Sequence, residues 1–307
     1  MHNNSIQYYT RAQIDPVRWN RCIDAAPNGL VYATTLYLDH MAGQWDALVM
    51  GDYEVVMPLP WKRKFGIRYL HWVPFAQQLG VFGPASLSAI QVQAMLQAAL
   101  HHFNYGELFF NYANQGIALA DARTNLILDL APAYDQLRAA YKNDLLKNLD
   151  KAGKFPLQYH QQVALPLVLR AFRDTYSEQI AVIKPEEYDR FERLCTDAWQ
   201  QGLVITRGVK EADGDWLSTA LLFQYKGRLY LLHSATVGAG RKVAANHFLL
   251  DQLIREFAGS ATVLDFEGSD LPGVAHFYRN FGSVEEPYFV YRFNRLPGWI
   301  KWLKRFS

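Results

Sequence analysis

Apolar residues recur along this chain at two spacings, every second position and every third or fourth, and the switches between the two mark out its elements. In the first part the pattern predicts a strand over Ile6–Thr10, a helix opened by Asp15-Pro16 and a second helical stretch near Thr35–Ala42. Three short strand-like runs follow, Asp46–Met50, Tyr53–Pro58 and Arg68–Val73, punctuated by turn signals at Gly51-Asp52 and Gly66. A helix over Ser86–Phe103 and strands at Glu107–Asn111 and Asn125–Leu130 complete that part.

The second part predicts a strand over Phe155–Gln161 and helices over Leu165–Tyr176 and Pro185–Gln201. On the latter helix Tyr188, Phe191, Cys195 and Ala198 form an apolar stripe, and Pro185, Glu186 and Glu187 suit a first turn. Then come strands over Leu203–Val209, Leu217–Tyr225 and Arg228–Ser234, a helix over Val243–Phe257, a strand over Thr262–Phe266, a helix over Pro272–Asn280 and a last strand over Tyr288–Phe293. The order of elements is thus given twice, a repeat of pattern and not of letters. It predicts two α/β (α+β) domains, 1–132 and 155–307, each a mixed, mostly antiparallel sheet flanked by helices, with a charged, solvent-facing helix over 133–154 between them.

Length agrees: 307 residues is about twice the roughly 150 of an ordinary domain. Half the residues are apolar and 20% charged, which excludes a disordered chain. Lys and Arg number 31 against 29 Asp and Glu, a net +2, so DNA is not an expected partner and any contact with RNA has to be local. Cys22 and Cys195 stand far apart without the spacing of a disulfide framework or a zinc site; no metal is expected. The lone cysteines suit a reducing cytoplasm, and the N-terminal residues do not read as a signal peptide. Residues 69–106 lack Asp, Glu, Lys and Arg altogether, but Pro74, Gly80, Gly83, Pro84 and several glutamines interrupt them, so they predict a buried turn and a covered helix and no membrane span.

Chemistry concentrates in Leu264-Asp265-Phe266-Glu267-Gly268-Ser269-Asp270-Leu271-Pro272-Gly273 and the following Val274–Gly282. Carboxylates at the C-terminal end of a strand lie where open α/β sheets build their sites. Period-2 alternation places Asp265 and Glu267 on one face and Phe266 on the other. Asp270, before Pro272, suits a helix cap, and Asp265 also suits an ion pair with an arginine.

Phe277-Tyr278-x-x-Phe281-Gly282 resembles the FY-x-x-LG signature near the end of GNAT acyltransferases. Together with Asp265-Phe266-Glu267-Gly268 it is similar to the DFGG…FKxxFG stretch of Fem-type aminoacyl or peptidyl transferases, which carry two GNAT-like domains in tandem. Asn143-x-x-x-Lys147-Asn148-Leu149-x-Lys151-Ala152 is similar to the basic helix before their second domain. The resemblance covers most of the chain in element order and these stretches in letters. It implies attack by an amine on a thioester or an aminoacyl ester without a covalent enzyme intermediate, with Tyr278 protonating the leaving group and Asp265 or Glu267 taking the amine's proton.

The donor implied is acetyl-CoA or another acyl-CoA, held by backbone amides of a Gly-rich loop. Here Gly238-Ala239-Gly240 occupies that place with Arg241, Lys242 and Ser234 beside it, but Ala235 stands where the family pattern has Gln or Arg. Arg241 and Lys242 suit a pyrophosphate or the acceptor end of a charged tRNA, the donor of Fem-type enzymes; the missing Gln or Arg also admits a fold that has kept binding and lost catalysis. On the acceptor side the resemblance implies His233 next to the acyl site, and the neutral, aromatic loop with Trp72, Gln77 and Gln78 suits a peptide or sugar amine, such as a cell-wall precursor. In the tail 295–307, Trp299, Trp302, Leu303 and Phe306 fall on one helical face and Lys301, Lys304 and Arg305 on the other, which suits weak contact with the inner membrane surface or packing of the tryptophans on the domain.

Overall fold

The computed structural model describes residues 5–176, 183–212, 214–267 and 270–298. Two compact units result, and the chain passes between them twice: Met1–Arg123 with Pro287–Ser307 form one, Thr124–Glu286 the other.

The first unit contains strands β1 (Ile6–Thr10), β2 (Trp45–Met50), β3 (Val55–Lys64), β4 (Ile67–Leu70), β5 (Tyr105–Phe110) and β6 (Asp121–Arg123), and helices α1 (Pro16–Ala25), α2 (Thr35–Met41) and α3 (Ala89–His102). Asp15 caps α1 through the amides of Val17 and Arg18, with Pro16 at its first position, as the Asp-Pro pair predicts. Between β4 and β5 the chain forms a loop over 71–88 and then α3, whose Val92, Met95, Leu96, Ala99 and Leu100 lie in the core.

The second unit contains β7 (Leu126–Asp129), α4 (Tyr134–Ala139), α5 (Asn143–Ala152), β8 (Leu157–His160), α6 (Leu165–Tyr176), α7 (Pro185–Gln200), β9 (Val204–Glu211), β10 (Trp216–Tyr225), β11 (Arg228–Thr236), α8 (Gly238–Lys242), α9 (Ala245–Phe257), β12 (Val263–Asp265), α10 (Pro272–Arg279) and β13 (Val284–Glu285). The last strand, β14 (Tyr288–Asn294), belongs to the first unit. Among the described residues each unit holds one mixed, seven-stranded sheet, ordered β1-β2-β3-β4-β5-β14-β6 and β13-β7-β12-β11-β10-β9-β8. The pattern of two similar α/β halves is present.

Its boundaries differ from those the sequence predicts. β14 inserts between β5 and β6, while β7 pairs with β12 and β13, so each half gives a strand to the other's sheet. Alternation fixes which face of a strand is buried, and both sheets offer a partner for a strand of that pattern. The stretch 133–154 is likewise no free connector: Leu137 of α4, Tyr141 between the two helices and Leu145 of α5 lie in the second core, and only the other faces of the helices are charged and exposed. Gly238–Lys242 forms the short α8 instead of a turn, and the chain breaks at Ala244, in the left-handed region at φ 57°, before α9 begins.

The feature that opens a site is in the second sheet. β11 runs parallel to β12 only from Arg228 to Tyr230, opposite Val263–Asp265. It then continues to Thr236 with no described strand on that side, paired with β10 alone. Between Leu231 and His233 the register with β10 slips by one residue, a bulge that re-aims the strand's side chains. Among the described residues, no helix is long and apolar enough to cross a membrane. The amphipathic part of the C-terminal tail, from Trp299 on, lies outside the described residues.

Candidate functional site

Where β11 outruns β12, a cleft of about 360 Å³ opens, lined by β11, the α8–α9 junction, the end of α6 and one face of α10. Ser234 and Thr236 project into it from β11, while the alternate residues His233 and Ala235 are buried. Ser218 on β10 shares a 2.9 Å hydrogen bond with Thr236 and lies 3.4 Å from Asn246 Oδ1, which ties strand and helix sides of the cleft together. Gly240 is required by packing: a Cβ there would lie 2.3 Å from the Leu217 carbonyl oxygen. Arg241 enters the cleft beside it.

Helix α9 is held by a bidentate pair from Arg207 on β9 to Glu256, at 2.8 and 2.6 Å, and by Tyr134, which donates to Asp251 at 2.7 Å. Its first turn presents Asn246 and His247 to the cleft. The opposite wall is α10, with Pro272 at its first position and Gly273, Val274, Phe277 and Tyr278 on the lining. Phe277 meets the His247 ring edge-on at 4.9 Å, and Tyr278 stacks on Phe266 at 4.7 Å. The Phe281-Gly282 end of the motif is structural. Phe281 is fully buried against Tyr141, and Gly282 has φ +80° with Ala140 2.9 Å from where a Cβ would lie.

Of the residues singled out by sequence, Ser234, Gly240, Arg241 and Tyr278 come together here. Gly238 and Lys242 are exposed on α8 and outside the lining. The shared face expected for Asp265 and Glu267 is absent, because β12 ends at Asp265 and Glu267 turns into the left-handed region at φ 58°. Asp265, 1% exposed, accepts from Arg228 Nε at 2.8 Å and from the Glu267 amide at 2.8 Å, and Arg228 also pairs with Glu286. It serves the ion pair that its sequence position also allowed. Glu267 Oε1 is buried with no partner among the described residues, and burial pushes its carboxyl well above the ordinary range. Gly268 and Ser269 lie outside the described residues.

His233 faces away from the cleft, stacked on Phe172 at 4.1 Å, and burial lowers its pKa to about 3. Trp72, Gln77 and Gln78 belong to the first unit. Trp72 donates to the Ala76 carbonyl at 3.2 Å, and Gln78, 1% exposed, accepts from the Tyr112 amide and donates to Gln77. The depression that Trp72 lines has room for about 10 Å³, no more than one water molecule. Among the described residues no three His, Cys, Asp or Glu side chains are grouped to hold a metal ion. Phe277 of the quoted signature also lines the cleft, whereas sequence reasoning missed Thr236, Asn246 and His247; the polar residues in the first turn of α9, just before its apolar stripe, were the available signal.

No family model matches the sequence, and no curated protein does. Solved structures match over nearly the whole chain. FemX is 13% identical with a TM-score of 0.64, covering 95% of this chain and 98% of that one. The L-PGS structure from Bacillus licheniformis is 10% identical with a TM-score of 0.53, over 94% and 95%. The C-terminal domain of a putative lysylphosphatidylglycerol synthetase from Agrobacterium fabrum is 12% identical with a TM-score of 0.52, over 90% of each chain. At these identities the likeness is one of fold. The fold is the tandem GNAT-like one, two mixed sheets flanked by helices, that the sequence motifs resemble.

Proposed function

We propose that the second unit is a transferase that moves an acyl group from an activated carrier to an amine. The observation that carries this is Tyr278 on the wall of an open cleft, at the place where two parallel strands part company. A carbonyl lying along the free edge of β11 meets main-chain groups of that strand, and a phenol on the facing helix is placed to protonate the leaving sulfur or oxygen. Ser234, Thr236 and Asn246 supply neutral hydrogen-bonding groups for the acyl portion, and Arg241 supplies the charge for a phosphate of the carrier. Asp265 is a positioning residue that anchors the segment leading to Phe266, on which Tyr278 rests.

The donor is an acyl-CoA in this reading, with aminoacyl-tRNA as the second candidate. What favours the second is Ala235: it is buried, 4% exposed, where the CoA-binding pattern has Gln or Arg. A binding protein without catalysis would be expected to fill the donor site with side chains, and the open cleft beside Tyr278 speaks against that. The acceptor belongs to the class of small-molecule, peptide or sugar amines. A thermal-shift series with acetyl-CoA, longer acyl-CoAs and aminoacyl-tRNA tests the reading; at 100 times Kd a ligand adds about 2.7 kcal/mol of stability. Absence of a shift with every donor overturns it.

A further inference from the structure

We propose that His247 is the group that takes the proton from the attacking amine, a role that rests on the transfer reading given above. The cleft itself argues for it by elimination. Among the described residues its lining contains no carboxylate, and its titratable side chains are Arg241, His247 and Tyr278. A guanidinium stays protonated and the phenol is needed in its protonated form, so the imidazole is the one side chain among the described lining residues able to accept a proton near neutral pH. Asp265 is bound to Arg228 at 2.8 Å and Glu267 is outside the lining.

The placement of the ring suits the task. It projects from the first turn of α9, and its edge-on contact with Phe277 at 4.9 Å fixes its plane. Phe277 in turn packs on Tyr278 at 5.3 Å, so acceptor and donor of protons are set on the same wall by one intervening ring. Nδ1 is buried with no partner among the described residues, which leaves Nε2 as the nitrogen that meets a ligand. The charged and titratable groups around it are Lys151 of α5, Arg241 of α8 and Tyr278 of α10; Asp251, one turn further along α9, is engaged by Tyr134. Burial and the Lys151 charge both lower the pKa of the ring, so it enters the reaction neutral.

The step balances as follows. The amine nitrogen bonds to the acyl carbon and gives up a proton to His247 Nε2. The bond from that carbon to sulfur or oxygen breaks, and the leaving atom takes the Tyr278 proton. Solvent then removes the proton from His247 and restores that of Tyr278, so no net charge or proton stays on the protein.

The test measures thiol release from acetyl-CoA with a panel of primary amines, and product formation from aminoacyl-tRNA, for the wild type, His247→Gln and His247→Ala. The expected result is a loss of about 100-fold in kcat/KM for His247→Gln. Donor-induced thermal shift is retained, the falling limb of the wild-type rate at low pH disappears, and imidazole in solution restores part of the rate of His247→Ala. His247→Gln turning over like the wild type, with the same pH profile, overturns the assignment and leaves the transfer reading standing. A wild type that neither binds nor consumes any donor overturns the transfer reading, and this proposal with it. Should both variants unfold, NMR titration of the wild-type His247 ring decides: a ring that titrates at a different pH from the limb of the rate profile rules it out.

Discussion

Phe266 lies flat against Tyr278, with ring centroids 4.7 Å apart and planes inclined by 24°. One residue leaves the end of β12 and the other projects from α10, so this stack sets the position of the phenol with respect to the sheet. Its consequence is that the ring and the hydroxyl of Tyr278 can be tested separately.

Tyr278→Phe keeps the stack and removes the proton donor. We expect kcat to fall by about 100-fold or more, with the donor's thermal shift unchanged, and stability to fall by no more than about 1 kcal/mol. Tyr278→Ala removes the ring as well, which adds about 0.5–1.5 kcal/mol for the aromatic pair beyond lost burial. Steady-state thiol release with chemical denaturation of both variants checks this. Equal rates for Tyr278→Phe and the wild type would show that the leaving group is not protonated here.

His233 gives a pH dependence whose sign is fixed by its surroundings. Both ring nitrogens are buried with no partner among the described residues, and burial brings the pKa from 6.5 down to about 3. The unfolded chain therefore takes up a proton that the folded chain refuses. Stability is complete above pH 6.5 and declines as pH falls from there toward 3, by about 1.4 kcal/mol per unit once the unfolded histidine is fully protonated. Between pH 8 and pH 5 this amounts to about 2 kcal/mol. Denaturation of the wild type and of His233→Phe across that range reads it out, and the variant is expected to lose this part of the acid slope. An identical slope in both would assign the acid sensitivity elsewhere.

The two glycines of α8 separate packing from backbone effects. At Gly240 a methyl group would be 2.3 Å from the Leu217 carbonyl oxygen, and at Gly238 nothing lies within 4 Å. Gly240→Ala is expected to destabilise by about 1–3 kcal/mol and to weaken the donor's thermal shift, because α8 has to move off β10. Gly238→Ala is expected to be neutral or stabilising by up to about 1 kcal/mol through helix propensity. Urea denaturation of the pair decides, and equal effects would contradict the close approach.

The sequence made the elements legible, and with them the doubled plan, because apolar spacing follows directly from helix and strand geometry. Tyr278 and Ser234 were legible through the Phe277-Tyr278-x-x-Phe281-Gly282 resemblance and the strand it faces. The partnership of strands was not. The alternation in Tyr288–Asn294 says that one face is buried, and it is silent on whether β5 or β12 lies alongside. Asp265 and Glu267 do not share the face that alternation predicts, because the strand ends at Asp265 and φ is positive at Glu267. His247 escaped because a polar residue in a first helical turn looks like solvent surface until Phe277, thirty positions later, is packed against it.

The exchanged strand makes the last prediction. β14 pairs with β5 from Phe289 to Asn294 and with β6 from Tyr288 to Val290, and β6, three residues long, is joined to its sheet through β14 alone among the described strands. Val290 and Phe293 are buried, and each contributes about 1.5–3 kcal/mol by leaving water. Ending the chain after Glu286 is therefore expected to open the first unit's sheet at β5 and detach β6, while the second unit, which contains none of these residues, keeps its protection. Hydrogen exchange should show rapid labelling of the β5 amides of Tyr105–Phe110, and a peptide of residues 287–298 should slow it again by re-forming the missing strand. Unchanged protection of β5 in the shortened chain would show that the first unit does not depend on the strand it receives.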